Sequence, residues 1–341
     1  MMDSGKKTHI VVIKTDGIGD AVLTSPFLFE LRKHYRNAFI TGILSPAGKE
    51  VLESLNLFDD IKVIDPQWLK YKKVFFIKRW TSALQLLFII NKIHPDVAIA
   101  LRWQDRLTSL VLSLCNAKMK IGYDVGGMGF GIDVKIPIQE GVHTIHRNLN
   151  VLSGILPGKK FKIKIGISCG ESDVSKVKNI LKANKIKRYV VVHPVSGHTA
   201  KDWGIDNFKC LAEKIAKKVS VVIIGGKDDR DINLISGENI LNLAGRLSIR
   251  ETAALIKNSS FVIGNDSAAV HIASVFNVKS LTLFSGTVDY RCWKAWGKNS
   301  HVMMNKVSCS GCELIKCNQR SHPCMNFSIE EVYKKFLSLY R

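Results

Sequence analysis

The chain has 341 residues, 46% of them hydrophobic, which is enough for two folded domains that each bury a core. Its formal net charge of +21 indicates acidic partners, such as nucleic acid, anionic lipid or phosphorylated small molecules, without choosing among them. The polar amino terminus disfavours a signal peptide, and the most apolar run, 84–90, is too short to cross a bilayer, so we expect a cytoplasmic protein.

Strand-like apolar runs alternate with helical patterns along the whole chain. In the first half, strands are predicted at 9–13, 39–43, 61–64 and 97–100. The basic run 159–164 follows Pro157 and Gly158 and is typical of an exposed linker. Beyond it, a second series of strands is predicted at 189–193, 219–224, 261–263 and 280–284.

This alternation predicts an α/β protein with two Rossmann-like, doubly wound domains, 1–157 and 164–325. Their ligand is expected in a cleft at the carboxyl ends of the strands. A last helix is predicted at 329–339, in a segment, 326–341, that we expect to return to the amino-terminal domain.

A glycine-containing turn follows the first predicted strand. Gly17 and Gly19 permit a tight turn, and Asp20 falls near the start of the next helix, at the carboxyl edge of the sheet. The third position of a dinucleotide-binding fingerprint is Val22 rather than glycine, so a nicotinamide-dependent enzyme is disfavoured. Asp20 is either an active-site carboxylate or a first-turn acid that complements the helix dipole.

Basic and aromatic residues interleave in segment 68–80. Such a segment is suited to an anionic membrane face or to an acidic glycolipid. A solvated loop followed by a core helix explains the same composition. The sequence leaves both interpretations open.

Small polar residues follow the first strand of the second domain. Ser196, Gly197 and Thr199 offer hydroxyl and backbone donors, and Lys201 offers a positive charge, which together suit a phosphate. The loop lacks the Gly-x-x-x-x-Gly-Lys-[Ser/Thr] pattern of a Walker A loop. Hydrolysis of ATP or GTP through it is therefore disfavoured.

Two acids follow the strand predicted at 219–224. Asp228 and Asp229 lie where a ribose diol is bound in Rossmann-like domains. The sequence does not choose between them.

A strand, a polar turn and a helix start are predicted at 261–276. Asp266 or Ser267 is suited to cap the helix, and the free N–H groups and dipole of a helix amino terminus make an anion site. His271 follows one turn later. An ordinary capped turn with a buried histidine explains this segment alone, and the phosphate-binding interpretation depends on the other segments that indicate the same ligand.

Four cysteines, Cys309, Cys312, Cys317 and Cys324, precede the last predicted helix. Four thiolates at this spacing are able to close a tetrahedral zinc site, and His322 offers a substitute ligand. Reduced, partly buried cysteines and labile disulfides are the alternatives. The sequence leaves all three open.

Taken together, these segments resemble the heptosyltransferases, the glycosyltransferase family numbered nine. Residues 14–26 are similar to the family's amino-terminal Gly-Asp motif, 193–203 to its Lys-x-Trp loop and 264–271 to its Gly-Asn-Asp-Ser-x-x-x-His motif. Residues 284–287 are similar to its Phe-Gly-x-Thr loop, with Ser285 at the position of the family glycine. The resemblance implies the GT-B arrangement, with a nucleotide sugar held mainly by the second domain and an acceptor mainly by the first.

The resemblance also implies an inverting glycosyltransferase that moves a heptose or a similar sugar from an ADP-sugar to the lipopolysaccharide core or a related glycolipid. Asp20 is then the candidate general base for the acceptor hydroxyl. Lys201 and backbone N–H groups would stabilise the departing diphosphate, so neither a metal nor a cofactor is expected. Donor-binding residues are predicted at Lys14, Ser196, Gly197, Thr199, Lys201, Asp228, Asp229, Asp266, Ser267, His271, Gly286 and Thr287.

The expected partners are ADP-heptose, an anionic glycolipid acceptor and, through segment 68–80, the inner-leaflet surface of the membrane, which would make the protein peripheral on its cytoplasmic face. Nucleic acid is not an expected partner. A basic nucleic-acid-binding protein nevertheless stays an alternative because it explains the charge, although no zinc-finger, homeodomain or RNP pattern is present. A nucleotide-sugar epimerase or phosphorylase, which would use the same anion loops for other chemistry, is the second alternative.

Overall fold

The computed structural model describes residues 7–65, 76–227, 229 and 231–340. It divides the chain into two compact units, Met1–Gly166 and Ile167–Arg341.

In the described part of the first unit, six parallel strands form one sheet in the order β3-β2-β1-β4-β5-β6. The central strands β1 and β4 are almost wholly buried because helices cover both faces of such a sheet, which explains their uninterrupted apolar sequences. In chain order the elements are β1 (His9–Lys14), α1 (Ile18–His34), β2 (Phe39–Leu44), α2 (Pro46–Leu52), β3 (Asp60–Val63), α3 (Phe76–Ile93), β4 (Val97–Ala100), α4 (Arg106–Leu114), β5 (Met119–Gly122), β6 (Val134–Lys135) and α5 (Thr144–Ser153).

The described residues of the second unit repeat this topology, with six parallel strands in the order β12-β11-β10-β7-β8-β9. Counted from the start of each unit, both sheets have the strand order 3-2-1-4-5-6 that is typical of dinucleotide-binding domains. In chain order the elements are α6 (Glu171–Ala183), β7 (Tyr189–His193), α7 (Ile205–Ala216), β8 (Ser220–Ile223), β9 (Ile240–Asn242), α8 (Ile249–Lys257), β10 (Phe261–Asn265), α9 (Ala268–Val275), β11 (Ser280–Leu283), α10 (Tyr290–Trp293), β12 (Ser300–Met303) and α11 (Ile329–Tyr340).

This architecture confirms the predicted fold class of two doubly wound α/β domains. Each predicted strand is present, within two residues of its predicted bounds. The sequence missed β5, β6, β9 and β12, which are short and carry partly exposed side chains, so that no continuous apolar run marks them.

The boundary between the units lies later than the predicted linker. Residues 158–166 belong to the first unit, where the Gly166 N–H donates to Ser25 Oγ at 2.8 Å. A Cβ at Gly166 would lie 3.0 Å from the Phe29 ring, so the chain passes close to α1. The lysines of the basic run 159–164 are exposed, as expected. The backbone that follows them is fixed by the hydrogen bond at Gly166.

The last helix, α11, is grouped with the second unit. Its predicted return to the amino-terminal domain stays a prediction. Its apolar face is in the second core: Phe336 is fully buried, and its ring centroid lies 5.3 Å from that of Phe261 on β10. Just before the helix, the Phe327 carbonyl accepts a hydrogen bond from Trp203 Nε1 at 3.0 Å. These contacts explain the amphipathic pattern of α11.

Among the described residues, none of the helices combines the length and the hydrophobicity that crossing a bilayer requires.

Candidate active site

In each unit the strand order reverses at one point, between β1 and β4 in the first sheet and between β7 and β10 in the second. Ligands of doubly wound sheets bind beyond the carboxyl ends of the strands at such points. Most of the predicted site residues lie in the loops that follow β1, β7 and β10 or in the strand ends and helix starts next to these loops.

Four charged residues form an ion cluster at the switch point of the first unit. Lys14 Nζ lies 2.8 Å from Asp16 Oδ2 and 3.7 Å from Asp20 Oδ1. The guanidinium of Arg102, two residues beyond β4, contacts Oδ1 of Asp16. The sequence alone does not single out Asp16 or Arg102. Asp16 belongs to the same turn as Asp20, but only the pairing of β1 with β4 brings Arg102 to it.

The two carboxylates of this cluster differ in accessibility. The Asp16 side chain is 6% exposed, and each of its oxygens faces a cation. The Asp20 side chain, in the first turn of α1, is 27% exposed. Asp20 is therefore the carboxylate of this cluster that a substrate hydroxyl reaches without breaking a buried ion pair.

Lys14 is a buried cation, with little of its side chain exposed to solvent. Burial lowers the pKa of Lys14 to about 8, an effect that the nearby Asp20 carboxylate opposes. Burial also lowers the pKa of the Arg102 guanidinium. Lys14 is 5% exposed and paired with the acids of its own unit, so it is placed to orient Asp20. Its predicted contact with the donor stays a prediction.

A second ion pair lies at the switch point of the second unit. Lys201 Nζ donates to Asp266 Oδ2 at 2.6 Å, across the gap between the loops after β7 and β10. The Asp266 side chain is 5% exposed, whereas that of Lys201 is 20% exposed. One face of the ammonium is consequently available to an anion while Asp266 holds the other.

The first turn of α9 is not capped as the sequence predicted. Asp266 pairs with Lys201, and Ser267 occupies the N-cap position without accepting a hydrogen bond from the helix. The Ser267 hydroxyl instead shares a hydrogen bond with Nδ1 of His193 at 2.8 Å. Burial lowers the pKa of His193 to about 4, against the raising effect of Asp229, so its imidazole is neutral at physiological pH. The backbone N–H groups at the start of α9 are left to another acceptor.

His271, one turn into α9, is 5% exposed and lies beneath Asp266. Its Nε2 is 4.0 Å from Asp266 Oδ1, and burial lowers its pKa, so it supports the carboxylate as a neutral side chain. The ring is nearly buried, and direct contact of His271 with the donor stays a prediction.

The loop after β7 is fixed by Asn265, the last residue of β10, which the sequence analysis did not single out. Asn265 Nδ2 donates to the Pro194 carbonyl at 2.8 Å, and its Oδ1 accepts from the Trp203 N–H at 3.2 Å. Within the loop, Ser196 Oγ donates to Asp202 Oδ1 at 2.8 Å. Gly197 is exposed, and no atom lies within 4 Å of a Cβ built there, so its backbone is open to a ligand.

The remaining predicted donor-binding residues include Asp228, Asp229 and Thr287. Asp229 accepts from the Gly226 N–H at 2.5 Å and so closes its own turn, and Asp228 lies outside the described residues. Thr287 is 2% exposed, with its hydroxyl 2.7 Å from that of Ser285. The hydrogen bond of its hydroxyl supports the loop after β11, and direct contact of Thr287 with the donor stays a prediction.

The cysteine-rich loop packs on the predicted phosphate loops. The carbonyl of Gly286 accepts from the Gly311 N–H at 2.7 Å, and that of Ile315 accepts from the N–H of Ala200 at 2.9 Å. The hydroxyl of Thr199, an exposed predicted donor-binding residue, donates to the same Ile315 carbonyl at 3.3 Å. The cysteine-rich loop is thus hydrogen-bonded to the loop after β7 and to the loop after β11.

The four tail cysteines and His322 line one small cavity of about 20 Å³. Burial raises the pKa of the Cys324 thiol. His322 Nε2 is 2.9 Å from the Ala200 carbonyl, and the described residues contain no group of three or more His, Cys, Asp or Glu side chains placed to hold a metal ion. The four cysteines are free thiols in this structure. The zinc, reduced-thiol and labile-disulfide interpretations all stay predictions.

Segment 68–80, the predicted membrane-facing segment, lies mostly outside the described residues. Only its last part, 76–80, is described, as the first turn of α3.

The sequence from 94 to 322 matches the family model of glycosyltransferase family 9 (heptosyltransferase). The chain belongs to this family. Lipopolysaccharide heptosyltransferase 3 of Escherichia coli K12 is 28% identical over 82% of this chain and 83% of its own length. A family 9 glycosyltransferase of Veillonella parvula has a similar structure, with a TM-score of 0.77 and 18% identity over 98% of this chain and 97% of its own.

The ADP-heptose lipopolysaccharide heptosyltransferase II of Escherichia coli is a further structural neighbour of this family 9 chain. The TM-score is 0.75 at 17% identity, over 98% of each chain. Family 9 membership establishes that the chain is a glycosyltransferase, and the matched range contains the Lys201 and Asp266 motifs.

Proposed function

We propose that the chain is an inverting, metal-independent heptosyltransferase that moves a heptose from ADP-heptose to the lipopolysaccharide core or a related glycolipid. The ion pair of Lys201 with Asp266, beside the uncapped start of α9, is the observation that carries the proposal. An exposed ammonium face and free helix N–H groups at one switch point suit a diphosphate. The names of the lipopolysaccharide heptosyltransferases of similar sequence and fold support the donor and the acceptor class.

On the donor side, the bond that breaks joins the anomeric carbon of the sugar to an oxygen of the β-phosphate. ADP leaves with the electron pair, so negative charge grows on the diphosphate as the bond lengthens. Lys201 and the N–H groups of α9 stabilise that charge, and their interaction is stronger in the transition state than in the ground state. Asp266 fixes the Lys201 ammonium in place, and the open backbone of Gly197 adds a donor.

On the acceptor side, a hydroxyl of the glycolipid attacks the anomeric carbon from the face opposite the departing ADP. Asp20 takes the hydroxyl proton as the new bond forms, which gives inversion in a single displacement. Lys14, held by Asp16, faces the Asp20 carboxylate and orients it for this role. Asp16 itself is committed to Lys14 and Arg102.

The charge of the leaving diphosphate is the reason that other glycosyl transfers use a divalent cation. Here an ammonium and the dipole of α9 supply positive potential at the same place, so the proposed reaction proceeds without a metal. An anionic glycolipid as acceptor implies that the protein works at the cytoplasmic face of the inner membrane, and it accounts for the basic net charge without nucleic acid.

The proposal is tested by incubating the purified chain with ADP-heptose and a lipid-linked core oligosaccharide. We expect release of ADP and a product whose mass is larger by one heptose, with inverted anomeric configuration by NMR. The rate should be unchanged by EDTA. A metal requirement would refute metal independence, and transfer from another nucleotide sugar but not from ADP-heptose would refute the donor.

A further inference from the structure

Two local features weaken the first turn of α1, which carries Asp20. Gly17 occupies the N-cap position and offers no side chain to cap the helix. Pro26 lies inside the helix and has no N–H to donate to the Val22 carbonyl four residues before it. The turn that holds Asp20 is therefore fixed less firmly by its own helix than the turns beyond Pro26.

Hydroxyl groups of α1 donate to carbonyls of this weakened segment. Ser25 Oγ donates to the Val22 carbonyl at 2.7 Å and so replaces the missing proline N–H. Thr24 Oγ1 donates to the carbonyl of Asp20 itself at 2.8 Å. Thr24 and Ser25 are both 0% exposed. The backbone of Asp20 is thus hydrogen-bonded to a side chain that solvent does not reach.

Asn148, on α5, connects this segment to a second helix. Its Nδ2 donates to the Leu23 carbonyl at 3.2 Å and to Thr24 Oγ1 at 3.4 Å. Because Thr24 in turn donates to the Asp20 carbonyl, a chain of hydrogen bonds runs from α5 to the residue that carries the candidate base.

The amide of Asn148 destabilises the core in which it lies. The residue is 1% exposed, and no group among the described residues donates a hydrogen bond to its buried Oδ1. Burial of an amide oxygen without a donor costs free energy, whereas a leucine of similar volume would pack there without that cost. The polar contact with α1 is therefore what Asn148 contributes and an apolar residue would not.

We infer that Thr24 and Asn148 are positioning residues, which hold the first turn of α1 so that the Asp20 carboxylate stays placed to take the acceptor proton. The inference rests on the proposed function, in which Asp20 is the general base. Lys14 Nζ, 3.7 Å from Asp20 Oδ1, orients the charged end of Asp20, while Thr24 fixes its backbone. Displacement of a reacting group by about 1 Å lowers a rate by up to about a hundredfold, so loss of either hold is measurable.

The experiment compares Thr24→Val, which removes the hydroxyl and keeps the branched shape, with Thr24→Ser, which keeps the hydroxyl. Thr24→Val and Asn148→Leu should each lower kcat about tenfold or more, while KM for ADP-heptose and the affinity for ADP stay within about twofold. Thr24→Ser should keep kcat within about threefold of the unmodified chain, because its hydroxyl still reaches the Asp20 carbonyl. Unchanged kcat in Thr24→Val would overturn the inference and leave the proposed function standing.

Thr41→Val is the matched control for loss of a buried threonine hydroxyl in the same unit. Thr41 lies on β2, is 1% exposed and shares a hydrogen bond with His9 Nε2 at 2.9 Å. Thr41→Val should lower the melting temperature, as Thr24→Val does, but leave kcat unchanged. An equal loss of kcat in both variants would make the role of Thr24 purely structural and overturn the inference.

A double variant shows whether Thr24 acts through Asp20. In the Asp20→Asn background, Thr24→Val should cause no further loss of kcat, because the group that Thr24 positions is no longer a base. Losses that multiply in the double variant would assign Thr24 an effect independent of Asp20 and overturn the inference.

Hydrogen exchange of the intact chain gives a readout that needs no substrate. Amides 21–24 should exchange about tenfold faster in Thr24→Val and in Asn148→Leu than in the unmodified chain, and Thr41→Val should leave them unchanged. Unchanged exchange of these amides in both variants would overturn the inference. Faster exchange together with absence of transfer by the unmodified chain would refute the proposed function and leave the hold on this turn standing.

Discussion

Asp16 and Asp20 stand four residues apart in one turn, yet their surroundings give them different chemistry. Asp16 is enclosed by Lys14 and Arg102, whereas Asp20 keeps an accessible edge. A carboxylate locked in buried ion pairs cannot take a proton without large cost, because protonation would leave its cationic partners unpaired. The same two-part arrangement recurs in the second unit, where buried Asp266 holds a more exposed Lys201.

The first prediction concerns Asp20. Asp20→Asn should lower turnover about a hundredfold or more, because the amide cannot accept the acceptor proton. The affinity for ADP should be nearly unchanged. Steady-state transfer assays and ADP titrations on the same preparation measure both quantities. Near-normal turnover at saturating donor and acceptor would remove Asp20 from the mechanism.

The second prediction concerns Lys201. Lys201→Ala should weaken ADP binding about tenfold or more, since a charge-assisted interaction with the diphosphate is lost, and should lower turnover further because that interaction strengthens as the bond breaks. Lys217→Ala, at an exposed lysine on the same unit, is the control for net charge. Unchanged kinetics in Lys201→Ala would show that Lys201 does not bind the diphosphate, and would leave the N–H groups of α9 as its proposed ligands.

The third prediction concerns pH. The pKa of His193 is about 4 in the folded chain, below the value of about 6.5 for a histidine in the unfolded chain. Between these values the unfolded chain binds a proton that the folded chain does not, so stability should fall as pH decreases from about 6.5 to about 4. His193 contributes no pH dependence above that window.

Melting temperatures across this window test the sign. His193→Gln should reduce the loss of stability on acidification. Other buried histidines, such as His271, contribute in the same direction, so the slope should shrink rather than vanish. A steeper slope in His193→Gln would contradict the pKa assignment.

At the scale of elements, the close approach of β7 and β10 positions the donor site. The strands pair in parallel with Gly264 opposite His193, and a Cβ at Gly264 would lie 2.6 Å from the His193 carbonyl oxygen. Backbone cannot yield as a flexible side chain does, so glycine is required here for the two loops to stay together.

The fourth prediction follows from that approach. Gly264→Ala should destabilise the chain by about 1–3 kcal/mol and weaken ADP binding, because the strands must separate and carry the Lys201 and Asp266 loops apart. Gly197→Ala is the control for stability, since nothing lies within 4 Å of its Cβ position. Chemical denaturation and ADP titration give the two readouts. Equal stability of the two variants would show that the strands relax without cost.

The sequence predicted the central strands and the loops that follow them, because continuous apolar runs and glycine-containing turns are local signals. It could not predict that Arg102 reaches Asp16, since that contact depends on the pairing of β1 with β4. Nor could it predict that Asp266 pairs with Lys201 rather than capping α9, because both roles satisfy the same local pattern. The sequence could not predict the role of a side chain where tertiary contacts decide which of several local partners it binds.

At the scale of the whole molecule, the same strand order occurs in both units. The more exposed member of the ion pair at the point of reversal is an acid in the first unit and a cation in the second. In the first unit the buried Lys14 faces the more accessible Asp20, and in the second the buried Asp266 faces the more accessible Lys201. The fold alone does not assign these roles, because the same strand order supports both. The side chains of the loops assign these roles. They predict an acceptor site on the first unit and a donor site on the second.

The last prediction separates those sites by hydrogen exchange of the intact chain. ADP at a hundredfold excess over its Kd stabilises the binding unit by about 2.7 kcal/mol, or about a hundredfold slower exchange for amides that exchange through its opening. Protection should be centred on 194–204 and 264–271, and amides 14–20 should be unaffected. Adenosine, which lacks the diphosphate, should protect 264–271 far less, because the N–H groups of α9 have no anion to bind. Protection confined to 14–20 would place the nucleotide on the first unit and reverse the assignment.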